Sequence, residues 1–223
     1  MRRKSMNLVI LGATGRTGQL VVEQALAAGH NVTALVRSPE RLAIRNSKLR
    51  VVADQATDAG DVARALEGAD AVISALGGSG SVISDSTRAI GDAAHKTGVK
   101  RVILLSSFLV ERDRMGALSR LITGVVRGSM LKDKNDGEQL LRQSDLDWTI
   151  SYPSRLTDAP ATGLVKVLPE GAKRRITERI SRADVAGWLV ESATSRQTSH
   201  RGIDITGGAR TKGAFKMNAF RVD

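Results

Sequence analysis

The chain has 223 residues, 41% of them hydrophobic, with no cysteine and a formal net charge of +11. That length fits one α/β domain with a sizeable core, and the missing cysteines exclude disulfides and thiolate metal sites. No run approaches about 18 apolar residues, so no membrane span is expected; the basic residues 1–4 precede an apolar run too short for a signal peptide, which makes a cytoplasmic protein the expectation.

Taken in chain order, residues 7–11 form an apolar strand that stops at Gly12, and glycines recur at Gly15 and Gly18 before an apolar-periodic helix over 16–28. A helix start carries unpaired amides and a partial positive charge that attract phosphate. Glycine lets the backbone turn sharply and approach a pyrophosphate closely. This stretch reads as a dinucleotide site, against the plainer reading of a glycine-rich strand–helix turn.

The same unit then repeats. Strands are expected at 31–37, 49–53, 70–76, 101–107 and 147–152, with helices at 58–67, 86–97, 130–144 and 182–194. Glycines at 29, 68 and 98 close helices ahead of short β-branched runs, and wholly apolar strands suit a parallel sheet buried on both faces. The fold class is therefore α/β, a Rossmann-type doubly wound parallel sheet. It is expected as a single NAD(P)-binding domain over 1–223, with a small substrate-side lobe at about 155–180 that includes a strand-like 164–168. Residues 108–129 read either as a segment over the site or as a plain surface excursion. Residues from 207 onward have no clear pattern.

Ligands of such sheets sit beyond the C-terminal ends of the strands, and candidate residues fall there. Arg37 ends the second strand where an NAD site usually carries a carboxylate. A guanidinium suits a 2′-phosphate, Ser38 adds a hydroxyl and Arg41 lies within reach, so NADP(H) is favoured over NAD(H). Asp54 closes the third strand, as an acceptor for the adenine amino group or as a turn or N-cap residue. Ser106 and Ser107 end the fifth strand, placed to bond a substrate carbonyl or relay a proton, or simply to cap backbone. Lys134 lies one turn from Met130 on the expected helix, either facing the site to donate to ribose hydroxyls or solvated. A Gly-x-Ser-x-Gly elbow is absent and His30 and His95 fall near the opposite strand ends, which argues against a hydrolase. Metal-ligand spacing is absent too.

The cations are scattered (Arg2–Lys4, Arg112 and Arg114, Lys173–Arg175, Arg196–Lys216), and aromatics are only 3%. That pattern lacks a base-stacking platform and argues against nucleic acid. It suits a solvated basic surface or a phosphate-bearing cofactor.

With these motifs in view, the chain resembles the atypical short-chain dehydrogenase/reductases. The carriers are Gly-Ala-Thr-Gly-Arg-Thr-Gly, Leu-Val-Arg-Ser, Val-Val-Ala-Asp, Ile-Ser-Ala-Leu-Gly, Ile-Leu-Leu-Ser-Ser, Asp-Leu-Asp-Trp-Thr-Ile-Ser-Tyr-Pro and Ile-Ser-Arg-Ala-Asp-Val-Ala, in order over about residues 6–206. It is similar to the biliverdin-IXβ/flavin reductase branch and to NmrA-like regulators. The resemblance implies that Gly12, Thr14, Gly15, Arg16, Thr17 and Gly18 wrap the pyrophosphate and that Arg37 and Ser38 meet the 2′-phosphate. It puts Asp54 and Gln55 beside the adenine and Ala75, Leu76 and Gly77 along the ribose and nicotinamide. Tyr152, Pro153 and Ser154 would form the nicotinamide wall, and Ser181 would cap a late helix.

Two departures matter. The family's tyrosine–lysine pair, often followed by a glutamate, maps Lys134 and Glu138 onto its last two positions but puts Met130 where the tyrosine stands, and methionine has no proton to give. Ala53 replaces a frequent glycine. The resemblance implies NADPH-dependent reduction of a small conjugated acceptor, flavin or quinone, with Ser107 and Lys134 carrying the chemistry. The alternatives are a non-catalytic NADP-sensing regulator and a sugar-nucleotide epimerase or dehydratase. A monomer or small homo-oligomer with a small-molecule partner is expected.

Overall fold

The structure is a computed structural model that describes residues 5–78, 80–110, 128–173, 177–208 and 215–216. Among these residues one sheet has the strand order β11-β8-β10-β6-β5-β4-β1-β2-β3. The strands are β1 (Asn7–Leu11), β2 (Asn31–Val36), β3 (Leu49–Ala53), β4 (Ala71–Ser74), β5 (Arg101–Leu105), β6 (Asp147–Pro153), β8 (Leu164–Val167), β10 (Arg201–Gly207) and β11 (Phe215–Lys216). Strands β1 to β6 and β10 pair in parallel, and β8 runs antiparallel to β10 and β11. Two short strands, β7 (Arg155–Thr157) and β9 (Arg179–Ser181), pair separately. Residues 155–180 are thus divided between this small sheet and the sheet edge at β8.

Alternation along the strands builds two cores. Leu8 and Ile10 of β1 face one side with Ile103 and Leu105 of β5; they pack on α1 (Arg16–Ala27) and α5 (Arg182–Thr194) through Val21, Val22, Val185 and Leu189. Val9 and Leu11, with Val102 and Leu104, face the other side. There they meet α2 (Ala59–Leu66), α3 (Val82–Thr97) and α4 (Gly128–Gln143) through Val62, Ile90 and Leu141. Period-two strands with both faces apolar need helices on both sides, which is the doubly wound solution.

The expected elements match within a few residues, and the deviations place the site. The fourth and fifth strands end at Ser74 and Leu105 rather than at 76 and 107. Their last residues leave the ladder and face the cleft described below. Helix α3 starts at Val82, four residues earlier than expected, because Asp133 of α4 accepts the amides of Ile83 and Ser84, each at 2.9 Å. Residues 201–207, outside the expected strands and helices, form β10, and 215–216 within the patternless end pair with β8.

Candidate active site

The register of β1 against β4 runs from Leu8↔Ala71 to Leu11↔Ser74, so Gly12 and Ala75 leave the sheet side by side at its switch point. Gly12 has φ +80°, and a Cβ on it would come within 2.8 Å of the Ala75 backbone. A Cβ on Gly18 would lie 2.0 Å from the Gly12 carbonyl oxygen, so this glycine lets α1 close onto the turn. Neither residue tolerates a side chain, for backbone reasons.

Two adjoining clefts, about 400 and 510 Å³, meet at Gly15, Ala75, Leu76 and Gly77. The inner one is lined by Gly12, Thr14, Arg37, Arg41, Asp54 and Gln55 among others. The outer one carries Arg16, Thr17, Ser106, Ser107, Lys134, Pro153, Ser154 and Arg182. Their size and continuity suit an extended ligand. A larger cavity, about 830 Å³, opens among Met6, Asp70, Trp188 and Arg201, near the starts of β1, β4 and β10. Strand starts are not where such sheets hold their ligands, so the chemistry is assigned to the glycine-lined pair.

Helix starts test whether a dinucleotide fits. Asp58 caps α2 by accepting from Gly60 and Asp61, Asp133 takes the first amides of α3, and Ser181 accepts from Asp184 in α5. Helix α1 follows Gly15, which offers no side-chain cap, and has no acidic residue in its first turn. Its amides are left for an external acceptor at the junction of the two clefts, where a diphosphate belongs.

The expected site residues divide as follows. Arg37 and Arg41 line the inner cleft, whereas Ser38 does not; Ser38 precedes the 3-10 turn Pro39–Arg41, which turns Arg41 to the cleft instead. Asp54 lines it too, with Oδ2 accepting from Arg64 at 3.0 Å. Gly18 lies outside both linings because it is packed against Gly12. Tyr152, expected in the nicotinamide wall, does not line the cleft. Its ring is 1% exposed and belongs to the α2–α3–α4 core, while the next residues, Pro153 and Ser154, do face the outer cleft.

The Tyr152 hydroxyl points instead to Glu138. Glu138 is buried, and its two oxygens accept the hydroxyl protons of Ser106 and Tyr152, while Arg142 donates to the Tyr152 oxygen at 2.9 Å. The proton of Ser106 is thereby drawn inward, and only its lone pairs remain for the cleft. Ser107 differs: its oxygen accepts from the Leu109 amide at 3.3 Å, which leaves its proton to give. Lys134 is half-buried with Nζ 3.5 Å from the Leu105 carbonyl. Burial pulls its pKa down, and the charges of Glu138 and Asp133 oppose that. Met130 is absent from the lining.

Sequence reasoning missed Arg155, Arg182 and Asp158. Asp158 accepts from Arg182 at 2.6 Å and from Arg16 at 3.2 Å, which ties the starts of α5 and α1 across the outer cleft. Arg182 stood beside the cap Ser181 in a matched motif, and its direction needed the fold.

Comparison with known proteins agrees with this geometry. The NAD(P)H-binding family model matches residues 12–196. An uncharacterised chloroplastic protein of Arabidopsis thaliana is 31% identical, over 92% of this chain and 78% of its own. ChuY, an anaerobilin reductase from Escherichia coli O157:H7, superposes with a TM-score of 0.77 at 25% identity, covering 92% of this chain and 98% of that one. A short-chain dehydrogenase/reductase from Veillonella parvula, solved in complex with NADP, shares the fold with a TM-score of 0.78 at 20% identity, over 93% and 97% of the two chains. With the uncapped helix start and the two joined clefts, these matches make the chain a member of the NAD(P)H-binding family, built on a Rossmann-type fold.

Proposed function

We propose that the protein is an NADPH-dependent reductase of a small conjugated acceptor, a flavin, quinone or similar ring, and that it works without a tyrosine acid. The single observation that carries this reading is the pair of strand-end hydroxyls. Tyr152 and Ser106 are both tied to Glu138, Met130 stands at the tyrosine position, and Ser107 lines the cleft with a hydroxyl that accepts from the Leu109 amide and donates to no described residue.

NADPH, when bound, supplies the hydride. The Gly12–Gly15 turn and the first amides of α1 hold its diphosphate, and Arg37 with Arg41 meets the 2′-phosphate. Lys134 donates to ribose hydroxyls. Ser106, its own proton turned to Glu138, accepts from a carboxamide N–H. Ser107 or water delivers the proton. A conjugated acceptor delocalises the incoming charge, so a weak acid suffices, and the protein's main contribution is the placement of two rings.

Stopped-flow oxidation of NADPH with a panel of flavins and quinones tests this, with turnover expected for at least one ring class. Tight NADPH binding with no turnover across the panel would overturn it in favour of a non-catalytic NADP-sensing protein. Met130 in place of the tyrosine is the observation on that side, and it also weighs against a sugar-nucleotide epimerase.

A further inference from the structure

We propose that the acceptor at the outer cleft carries an anionic group, phosphate or carboxylate, and that Arg155 and Arg182 select for it. This deepens the reductase reading and rests on it for the word acceptor alone.

Among the described residues, the lining of the outer cleft includes Arg16, Lys134, Arg155 and Arg182 and no aspartate or glutamate. Lys134 has a counter-charge in Glu138. Arg16 opens α1, whose uncapped amides are assigned to the cofactor's diphosphate. Arg155 and Arg182 remain.

Arg182 is the first residue of α5, where the positive end of the helix disfavours a cation. Its side chain is only 12% exposed, so water does little to compensate. Its carboxylate partner, Asp158, is shared with Arg16 and is itself 66% exposed. Arg155 is exposed and its side chain has no partner among the described residues. Two guanidiniums and half a carboxylate leave an excess of positive charge on one wall of a cleft. A solvated surface arginine explains Arg155 alone. It does not explain a largely buried cation at a helix start. A phosphate or carboxylate satisfies both, through the paired N–H geometry that guanidinium offers.

FMN and riboflavin share one ring system and differ by a phosphate, so titration of each into the NADP⁺-loaded protein reads the charge alone. FMN is expected to bind at least about tenfold tighter at low salt, and the gap narrows as salt is raised. Arg155→Ala should narrow it severalfold, and Arg155→Ala with Arg182→Gln should abolish it. Asp158→Asn, an exposed change, should widen it by freeing Arg182, along with Arg16. Equal affinities, no binding of either flavin, or a gap that survives in the double variant would overturn the proposal. The two readings fail separately: a clear preference for FMN with no NADPH oxidation removes the reductase reading and leaves the anion site standing.

Discussion

At the scale of single residues, Glu138 decides which strand-end hydroxyl can release a proton. Its two oxygens take the hydroxyl protons of Ser106 and Tyr152, and its charge supports the lowered pKa of Lys134 from below. In Glu138→Gln one oxygen becomes an amide donor, so the hydroxyl facing it must accept instead and its proton loses its carboxylate acceptor. The expected cost is about 1–3 kcal/mol for the buried group left unsatisfied, measured by urea unfolding. The variant also has a readout that a purely structural role would not move. Burial lowers the pKa of Lys134 and Glu138 raises it, so removing the carboxylate lowers it further. The protonated lysine is then lost at a lower pH, and the alkaline limb of NADPH affinity should shift to lower pH. An unchanged profile would remove Lys134 from the binding site.

Arg37→Glu addresses the other end of the cleft. It should weaken NADPH by one to two orders of magnitude, about 1.5–3 kcal/mol for a charged hydrogen bond, while NADH suffers less, as titration of both nucleotides would show. Much of this site was legible because strand ends concentrate it: Gly12, Arg37, Asp54, Ser107 and Pro153 all line the cleft. Tyr152 was misplaced because it still lies within β6, where alternate residues take opposite faces and a single sequence does not say which face is the ligand's; Ser38 was misplaced because the 3-10 turn that follows it brings Arg41 to the cleft instead. The inward turn of Ser106 was hidden for another reason: its partner Glu138 lies 32 residues away.

At the scale of elements, glycines and helix starts carry the argument, and two glycine substitutions should have opposite signs. Gly18→Ala forces a Cβ to within 2.0 Å of a backbone oxygen, so α1 must move off the Gly12 turn. A loss of about 1–3 kcal/mol is expected, as for overpacking, together with weaker nucleotide binding. Gly91→Ala lies inside α3, where a Cβ meets nothing within 4 Å. It should stabilise by about 0.5–1 kcal/mol. Paired thermal melts compare them.

Helix α3 offers a third test. Burial raises the pKa of Asp133, but hydrogen bonds from the Ser84 amide and hydroxyl and from the Ile83 amide outweigh that and hold it below the usual value. A lowered folded pKa means the stabilisation is complete above the ordinary Asp value, about 3.9, and is lost as pH falls through the lowered one. Asp133→Asn should therefore cost about 1–3 kcal/mol near neutrality and converge with the wild type in acid. The Val82 start of α3 escaped sequence reading for the same cause, since its cap lies 50 residues away. β10 escaped because Arg201-Gly-Ile-Asp-Ile-Thr-Gly207 mixes charges and glycines with a short apolar alternation. The long elements were read correctly because a period of two and a period of 3.6 differ plainly over ten residues.

At the scale of the whole molecule, the cleft lies where the two cores meet. Its walls come from turns after β1, β2, β3, β4, β5 and β6, from the starts of α1 and α5, and from Lys134 on α4. A ligand held there touches segments supported by both helix layers, so it stabilises the folded chain and has no equivalent in the unfolded one. By mass action a nucleotide at about a hundred times its Kd adds about 2.7 kcal/mol. For a chain of this size each kcal/mol moves Tm by about 2–4 °C. NADPH at that excess should therefore raise Tm by about 5–10 °C. Arg37 and Arg41 line the inner end, and under the proposed role they should make the size of the shift depend on the 2′-phosphate. NADH at the same concentration should shift Tm less, and Arg37→Glu should erase the difference between the two nucleotides without altering the melt of the ligand-free protein by more than about 0.5 kcal/mol, since its side chain is exposed. Thermal melts with each nucleotide decide the matter. A Tm that neither nucleotide moves, even at millimolar concentration, would detach the uncapped start of α1 from the cofactor role assigned to it.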